Sequence, residues 1–171
     1  MNAIVALTAF SFLFAPCEAA PPKLDNTVIP HFELEKFLGK WYEIARFDHK
    51  FERDLHYVTA EYSLREDGKV KVLNTGYKNG EKKQAEGKAK IVEPELQNGY
   101  LKVAFFLFFY ADYRILLLDD DYQYALIGSK KDNYLWIMSR TPELDEDIKY
   151  RILREARRRG YDTHSLIWVR Q

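Results

Sequence analysis

Short runs of alternating side chains, bounded by turn residues, fill most of this sequence between Phe37 and Arg140. Alternation with a period of two predicts strands that bury one face. The pairs Asp67-Gly68 and Asn98-Gly99 are typical of the turns between paired strands. The sequence therefore predicts an all-β fold of antiparallel strands. Eight strands are expected, at roughly 41–47, 57–65, 69–76, 84–92, 100–106, 112–118, 123–129 and 134–140.

A helical period follows the last expected strand. Leu144, Ile148, Ile152 and Ala156 recur every four residues, which predicts one apolar stripe on an amphipathic helix. Thr141 is a candidate N-cap. We expect this helix to pack against the outside of the sheet.

A Gly-x-Trp sequence, Gly39-Lys40-Trp41, opens the first expected strand. Glycine allows a tight turn, and a tryptophan behind it can fold inward and plug one end of a barrel. Arg140 ends the eighth strand, and its guanidinium stacked on Trp41 would close that end by a cation–π contact of about 0.5–2 kcal/mol.

These residues resemble the three ordered motifs of the lipocalin family. The first motif is Gly39-Lys40-Trp41, the second contains Asp121 and Tyr122, and the third is Arg140. The flanking segments Trp41 to Arg46 and Leu166 to Gln171 are similar to those of the bacterial branch of the family. That branch is the outer-membrane lipoprotein type, which is similar to apolipoprotein D. The resemblance implies an eight-stranded antiparallel up-and-down lipocalin barrel with a C-terminal α-helix packed outside. Gly39, Trp41, Asp121, Tyr122 and Arg140 would be its structural signature.

The first twenty residues differ from the rest. Residues 1–20 contain an uncharged apolar run and are expected to be an export signal. Cys17 follows the run, and the resemblance implies that it is the lipidation site of an outer-membrane lipoprotein. The alternative is cleavage that discards Cys17, giving a periplasmic or secreted soluble protein. Residues 21–36 are expected to be a tether and residues 37–171 the lipocalin domain.

The alternation assigns one face of each strand to the barrel interior, with the parity set by Trp41. Small inward residues such as Ala60 and Ala85 would leave space for a ligand, whereas large rings that fill this space would give a solid core. The candidate ligand-binding residues are Ala45, Phe47, Val58, Ala60, Tyr62, Val72, Asn74, Ala85, Val103, Phe105, Tyr113, Ile115 and Trp136. Glu43 also falls on the inward face and is expected to pair with a residue of the barrel floor such as Arg140.

The loops at the two ends of the barrel differ in charge. Those of the closed end contain mostly acidic residues, including Asp119-Asp120-Asp121, which we interpret as a solvated turn. Those of the mouth contain mostly lysine and arginine, so we expect a cationic mouth that favours anionic head groups. The basic mouth residues are Lys50, Arg53, Lys78, Lys82, Lys83, Lys130 and Lys131.

The mouth loop from Phe105 to Tyr110 contains four phenylalanines. Leu107-Phe108 stands where bacterial lipocalins usually carry Gly-Pro. Three interpretations remain open: rings that fold back as the upper wall of the cavity, a homodimer contact, or a wedge that touches a bilayer.

Enzymatic and nucleic-acid functions find little support in the sequence. The four histidines lack the spacing of metal ligands, and no nucleophile motif or phosphate-binding glycine loop occurs. Formal net charge is zero, which gives no sign of a nucleic-acid partner. We expect no catalytic residue, no metal and no cofactor.

An apolar barrel interior suits an acyl chain. Burial contributes ~0.8 kcal/mol for each methylene, so a chain of about a dozen methylenes needs no special polar contact. The resemblance implies binding, storage or transport of fatty acids or lysophospholipids in the bacterial cell envelope, with a membrane contact through the lipid anchor. The alternative is a non-enzymatic interaction module that docks a partner protein through its apolar mouth loop.

Overall fold

The computed structural model describes residues 23–106 and 109–171. Eight antiparallel strands follow one another around a closed barrel, and β1 pairs with both β8 and β2 to close it. All eight predicted strands are confirmed, with ends that differ by a few residues. The strands are β1 (Gly39–Phe47), β2 (His56–Leu64), β3 (Val70–Lys78), β4 (Glu81–Ile91), β5 (Tyr100–Ala104), β6 (Ala111–Leu118), β7 (Tyr124–Gly128) and β8 (Leu135–Ser139).

The up-and-down order places alternate connections at opposite ends. The loops β1–β2, β3–β4, β5–β6 and β7–β8 form the open end, which we call the mouth. The other connections lie at the closed end, together with the short helix α1 (Leu34–Phe37) and a 3₁₀ turn (Pro94–Leu96).

The helix α2 (Glu146–Arg158) packs outside the barrel, as predicted. Its buried Ile152 and Ala156 share an apolar cluster with outward-facing barrel residues. The predicted N-cap is wrong: Thr141 donates its hydroxyl to the Glu143 carbonyl, and Asp145 precedes the first turn of the helix. In the described part of the chain, neither helix has both the length and the apolar composition that a bilayer crossing requires.

The C-terminal segment fills a gap between β1 and β2. A second 3₁₀ turn (Thr163–Ser165) leads into β9 (Leu166–Trp168), which pairs with the second half of β1. The Gln171 amide then donates to the carbonyls of Glu43 and Val58, at 2.6 and 2.9 Å. These bonds satisfy carbonyls that the diverging strands leave without a ladder partner.

The stretch before the barrel is not a free tether. Ile29 exchanges backbone hydrogen bonds with Gly99 and Ile115, and Phe32 is buried in the interior cluster. The expectation of a tether over 21–36 is therefore wrong for residues 23–36, which pack along the barrel and its closed end. The export signal and Cys17 lie outside the described residues.

Candidate functional site

The floor of the barrel assembles as the motif residues predicted. The guanidinium of Arg140 lies 4.0 Å from the ring centroid of Trp41, and the indole nitrogen donates to the Phe37 carbonyl at 2.8 Å. Arg140 also donates to the carbonyls of Tyr122, Lys40 and Lys36. One cation thus ties α1, β1 and the turn before β7 together beneath the interior.

The remaining motif residues surround this contact. Gly39 has a φ of +93°, and a Cβ there would meet the Arg140 guanidinium at 3.4 Å. The Tyr122 hydroxyl accepts a hydrogen bond from the Glu33 backbone amide at 2.9 Å. Asp121 is exposed in the turn, where its carbonyl accepts from the Gln123 amide.

A β-bulge in β1 changes which side chains face the interior. Glu43 pairs with Met138 but Ala45 pairs with Ile137, so the register shifts by one residue between them. The bulge turns Glu43 and Arg46 toward the same side, since one extra residue reverses the alternation. Ala45 and Phe47 instead join the outer cluster beneath α2. Their prediction as interior ligand-binding residues is therefore wrong.

A buried ionic cluster occupies the interior beside this bulge. Arg46 Nη1 lies 2.7 Å from Glu43 Oε1, and both side chains are almost wholly buried. The pairing of Glu43 with Arg140 was thus a wrong prediction. Arg46 also donates to the carbonyls of Glu52 and Leu55, which holds the β1–β2 loop against the barrel.

Glu52 brings that loop into the same cluster. Its Oε2 accepts from the Trp136 indole nitrogen at 3.1 Å and lies 2.8 Å from His49 Nε2. Trp136 is half-buried and contacts the interior apolar cluster, so this predicted site residue connects the loop with the lumen wall.

The surroundings of Glu43 and Glu52 shift the pKa values of these two carboxyl groups in opposite directions. Burial, together with the neighbouring Glu52, raises the pKa of Glu43 well above its ordinary value, although Arg46 opposes the shift. Burial also works to raise the pKa of Glu52, but hydrogen bonds from His49 and Trp136 and the charge of Arg46 bring it below its ordinary value. Glu43 is therefore the member of the pair that holds a proton more readily.

Two tyrosines bridge the lower lumen. The hydroxyls of Tyr62 on β2 and Tyr113 on β6 lie 2.7 Å apart, although these strands are not neighbours in the sheet. Tyr62 also packs edge-on against Phe37 of the floor. Burial raises the pKa of both phenols. The hydrogen bond therefore crosses the barrel just above its floor.

One row of inward residues runs from Trp41 at the floor toward the mouth, and its other three members are small. Trp41 pairs with Ala60, Ala60 with Asn74, and Asn74 with Ala85, so all four share the inner face. The row rises because barrel strands are tilted. Ala85 is exposed although it faces inward, and Asn74 Oδ1 is buried without a hydrogen-bond partner among the described residues.

The other predicted site residues lie around this row. Ala60, Tyr62, Val72, Val103 and Ile115 are buried in the interior cluster, against which Tyr113 packs. Val58 is buried where a Cβ on Gly76 would meet it. The ring of Phe105 lies 2.8 Å from the position of a Cβ on Gly87, so it folds back onto the inner wall at the mouth.

The alternation could not reveal the residues of the ionic cluster. A strict period of two places Arg46 on the outer face, opposite Glu43. His49 and Glu52 lie in the β1–β2 loop, whose inward fold depends on contacts with Arg46 and Trp136. Among the described residues, no group of histidine, cysteine, aspartate or glutamate is arranged to hold a metal ion.

Comparisons with known proteins agree with this geometry. The family model described as a lipocalin-like domain matches residues 32–171. The chain is 48% identical to the outer membrane lipoprotein Blc of Vibrio cholerae over 170 residues, covering 98% of each protein. It is 37% identical to apolipoprotein D of Rattus norvegicus, covering 82% of this chain and 75% of the relative. The solved structure of insecticyanin from Manduca sexta has a TM-score of 0.72 at 22% identity, covering 88% of this chain and 86% of that one.

Proposed function

Because this chain belongs to the lipocalin family, we propose that it binds a lipid with one acyl chain, a fatty acid or a lysophospholipid, inside the barrel. The coarser function, binding or transport of a small hydrophobic ligand, follows from the family. The finer proposal is that the ligand is stored or carried in the bacterial cell envelope. The relative named outer membrane lipoprotein Blc supports an outer-membrane location.

The observation that carries the proposal is the inner row formed by Ala60, Asn74 and Ala85. Side chains this small favour space for an acyl chain beside the strands, and the exposure of Ala85 supports an entrance at the mouth. A linear acyl chain that enters there would meet Val72 and Val103 before it reaches the tyrosine bridge. Each buried methylene would contribute about 0.8 kcal/mol.

The head group of the ligand is expected at the mouth, because one end of the lumen is closed and the other is open. The floor is closed by Trp41, Phe37 and the tyrosine bridge, so the polar end of a ligand is left at the mouth. Lysines of the mouth loops then face an anionic carboxylate or phosphate. A barrel that serves only as a docking module for a protein would need no lipid in its lumen.

Two adjacent residues on opposite faces of β4 provide the test. Ala85→Trp places a large ring in the lumen entrance, whereas Gln84→Trp places the same ring on the outer face, where Gln84 pairs with Thr75. We expect Ala85→Trp to weaken lysophospholipid and fatty-acid binding at least tenfold, measured by calorimetric titration, because a mispacked indole costs more than about 1.4 kcal/mol. Gln84→Trp should bind like the unmodified protein. Equal binding by both variants would refute the lumen as the site.

A further inference from the structure

Three phenylalanines at the mouth point into solvent. Phe51 on the β1–β2 loop is 84% exposed, and Phe106 and Phe109 on the β5–β6 loop are 68% and 75% exposed. The rings of Phe106 and Phe109 stack with an interplanar angle of 12°. Phe105 contacts the inner wall at Gly87 and is 45% exposed, so the other three rings are all more exposed than it is. The two loops lie on opposite sides of the same rim, and large exposed rings on both sides of the mouth mark a surface that contacts something apolar.

The same rim carries lysines that are free to meet an anionic partner. These lysines are Lys50, Lys82, Lys130 and Lys131. Within residues 23–106 and 109–171, no acidic side chain lies within salt-bridge distance of their amines. In contrast, the rim acids Asp48, Asp54 and Glu81 are each bound to a nearby basic residue. Asp132 is the exposed rim acid that remains, so positive charge prevails at the mouth.

The closed end has the opposite character. Glu66, Glu95, Asp120 and Asp121 are exposed there. An anionic surface would therefore attract the mouth and repel the floor, which orients the barrel before any contact forms.

We infer that the mouth docks on an anionic lipid bilayer surface, with Phe51, Phe106 and Phe109 entering the interfacial region and the rim lysines contacting phosphates. Aromatic rings that enter the head-group layer beside lysines are the combination that binds interfacial proteins to anionic membranes. This orientation places the lumen entrance against the lipid surface. The inference goes beyond the proposed ligand, because docking does not require an occupied lumen.

The test is vesicle cosedimentation of the full chain carrying Cys17→Ser, so that no acyl group on that residue contributes. Vesicles of phosphatidylcholine are compared with vesicles that also contain phosphatidylglycerol. The first variant is the rim triple Lys82→Gln, Lys130→Gln and Lys131→Gln. Its control is the helix triple Arg151→Gln, Arg154→Gln and Arg157→Gln, which removes the same charge from the outer surface of α2.

The rim triple should lower affinity for the phosphatidylglycerol vesicles by on the order of 100-fold, and the preference over phosphatidylcholine should vanish. The helix triple should retain the preference. If the helix triple loses it and the rim triple keeps it, the docking surface lies on α2 and the inference is overturned.

The rings are tested separately. Phe106→Ser with Phe109→Ser should weaken binding to anionic vesicles about tenfold or more. The control pair Leu64→Ser with Leu96→Ser removes apolar side chains of similar exposure, 57% and 59%, from the closed end and should change nothing. Unchanged vesicle binding by the phenylalanine pair, with loss of a dimer detected by light scattering, would assign these rings to a second copy of the chain and overturn the inference.

Discussion

Glu43 Oε1 and Arg46 Nη1 lie 2.7 Å apart inside the barrel, although the two residues are three positions apart on one strand. The bulge between Glu43 and Ala45 makes this possible. Removing only one partner of such a buried pair leaves an uncompensated charge. Neutralising Glu43 avoids this cost, because Glu43 already favours its protonated form.

Glu43→Gln should therefore change how stability depends on pH. The folded protein raises the pKa of Glu43 above its ordinary value of 4.5, so it favours the protonated carboxyl. This contribution is fully present below pH 4.5 and is lost as pH rises through the folded pKa. Glu52 acts in the opposite sense: its pKa is lowered, so its contribution is present above its ordinary pKa and is lost as pH falls.

Urea unfolding at a series of pH values measures the difference in free energy of unfolding between Glu43→Gln and the unmodified protein. The free energy of unfolding of Glu43→Gln, relative to the unmodified protein, should rise as pH increases above 4.5. Glu61→Gln, on the exposed face of β2, is the control for loss of a carboxylate outside the buried cluster. A difference that stays constant with pH for Glu43→Gln would contradict the assigned pKa direction.

The tyrosine bridge predicts coupling across the lumen. Tyr62→Phe leaves the buried Tyr113 hydroxyl without its partner, and Tyr113→Phe does the reverse. Each single change should cost about 1–3 kcal/mol, while the double change should cost less than the sum by about 0.5–3 kcal/mol. A double-mutant cycle on chemical unfolding measures this coupling. Strict additivity would show that the hydroxyls do not interact.

Replacing Arg140 by lysine should destabilise the closed end of the barrel. Lysine keeps the charge but cannot both stack on Trp41 and donate to three separate carbonyls. Arg140→Lys should lower the free energy of unfolding by about 1–3 kcal/mol. Arg65→Lys, at an exposed hairpin turn, supplies the matched control. Equal stability of the two variants would mean that Arg140 contributes only its charge.

Local signals allowed most of the fold to be predicted from sequence. Asp67-Gly68 and Asn98-Gly99 mark turns, and the period of two between such turns is set by burial of one strand face. The floor followed from Gly39, Trp41 and Arg140, because these residues supply a tight turn, a large ring and a cation.

The prediction of the site failed where tertiary contacts override the alternation. Nothing in the amino-acid sequence of β1 indicates the bulge that buries Arg46 and turns Ala45 outward. The path of residues 23–36 depends likewise on hydrogen bonds to distant residues, such as Ile29 to Ile115. Inner and outer faces could therefore be assigned correctly only on strands that keep a regular register through the site.

Native mass spectrometry of protein purified from cells, followed by lipid extraction, tests the central claim most directly. We predict a bound fatty acid or lysophospholipid on the unmodified protein and on Gln84→Trp, and little or none on Ala85→Trp. An empty barrel that also fails to take up lysophospholipid, or equal lipid content in all three proteins, would contradict binding in the lumen.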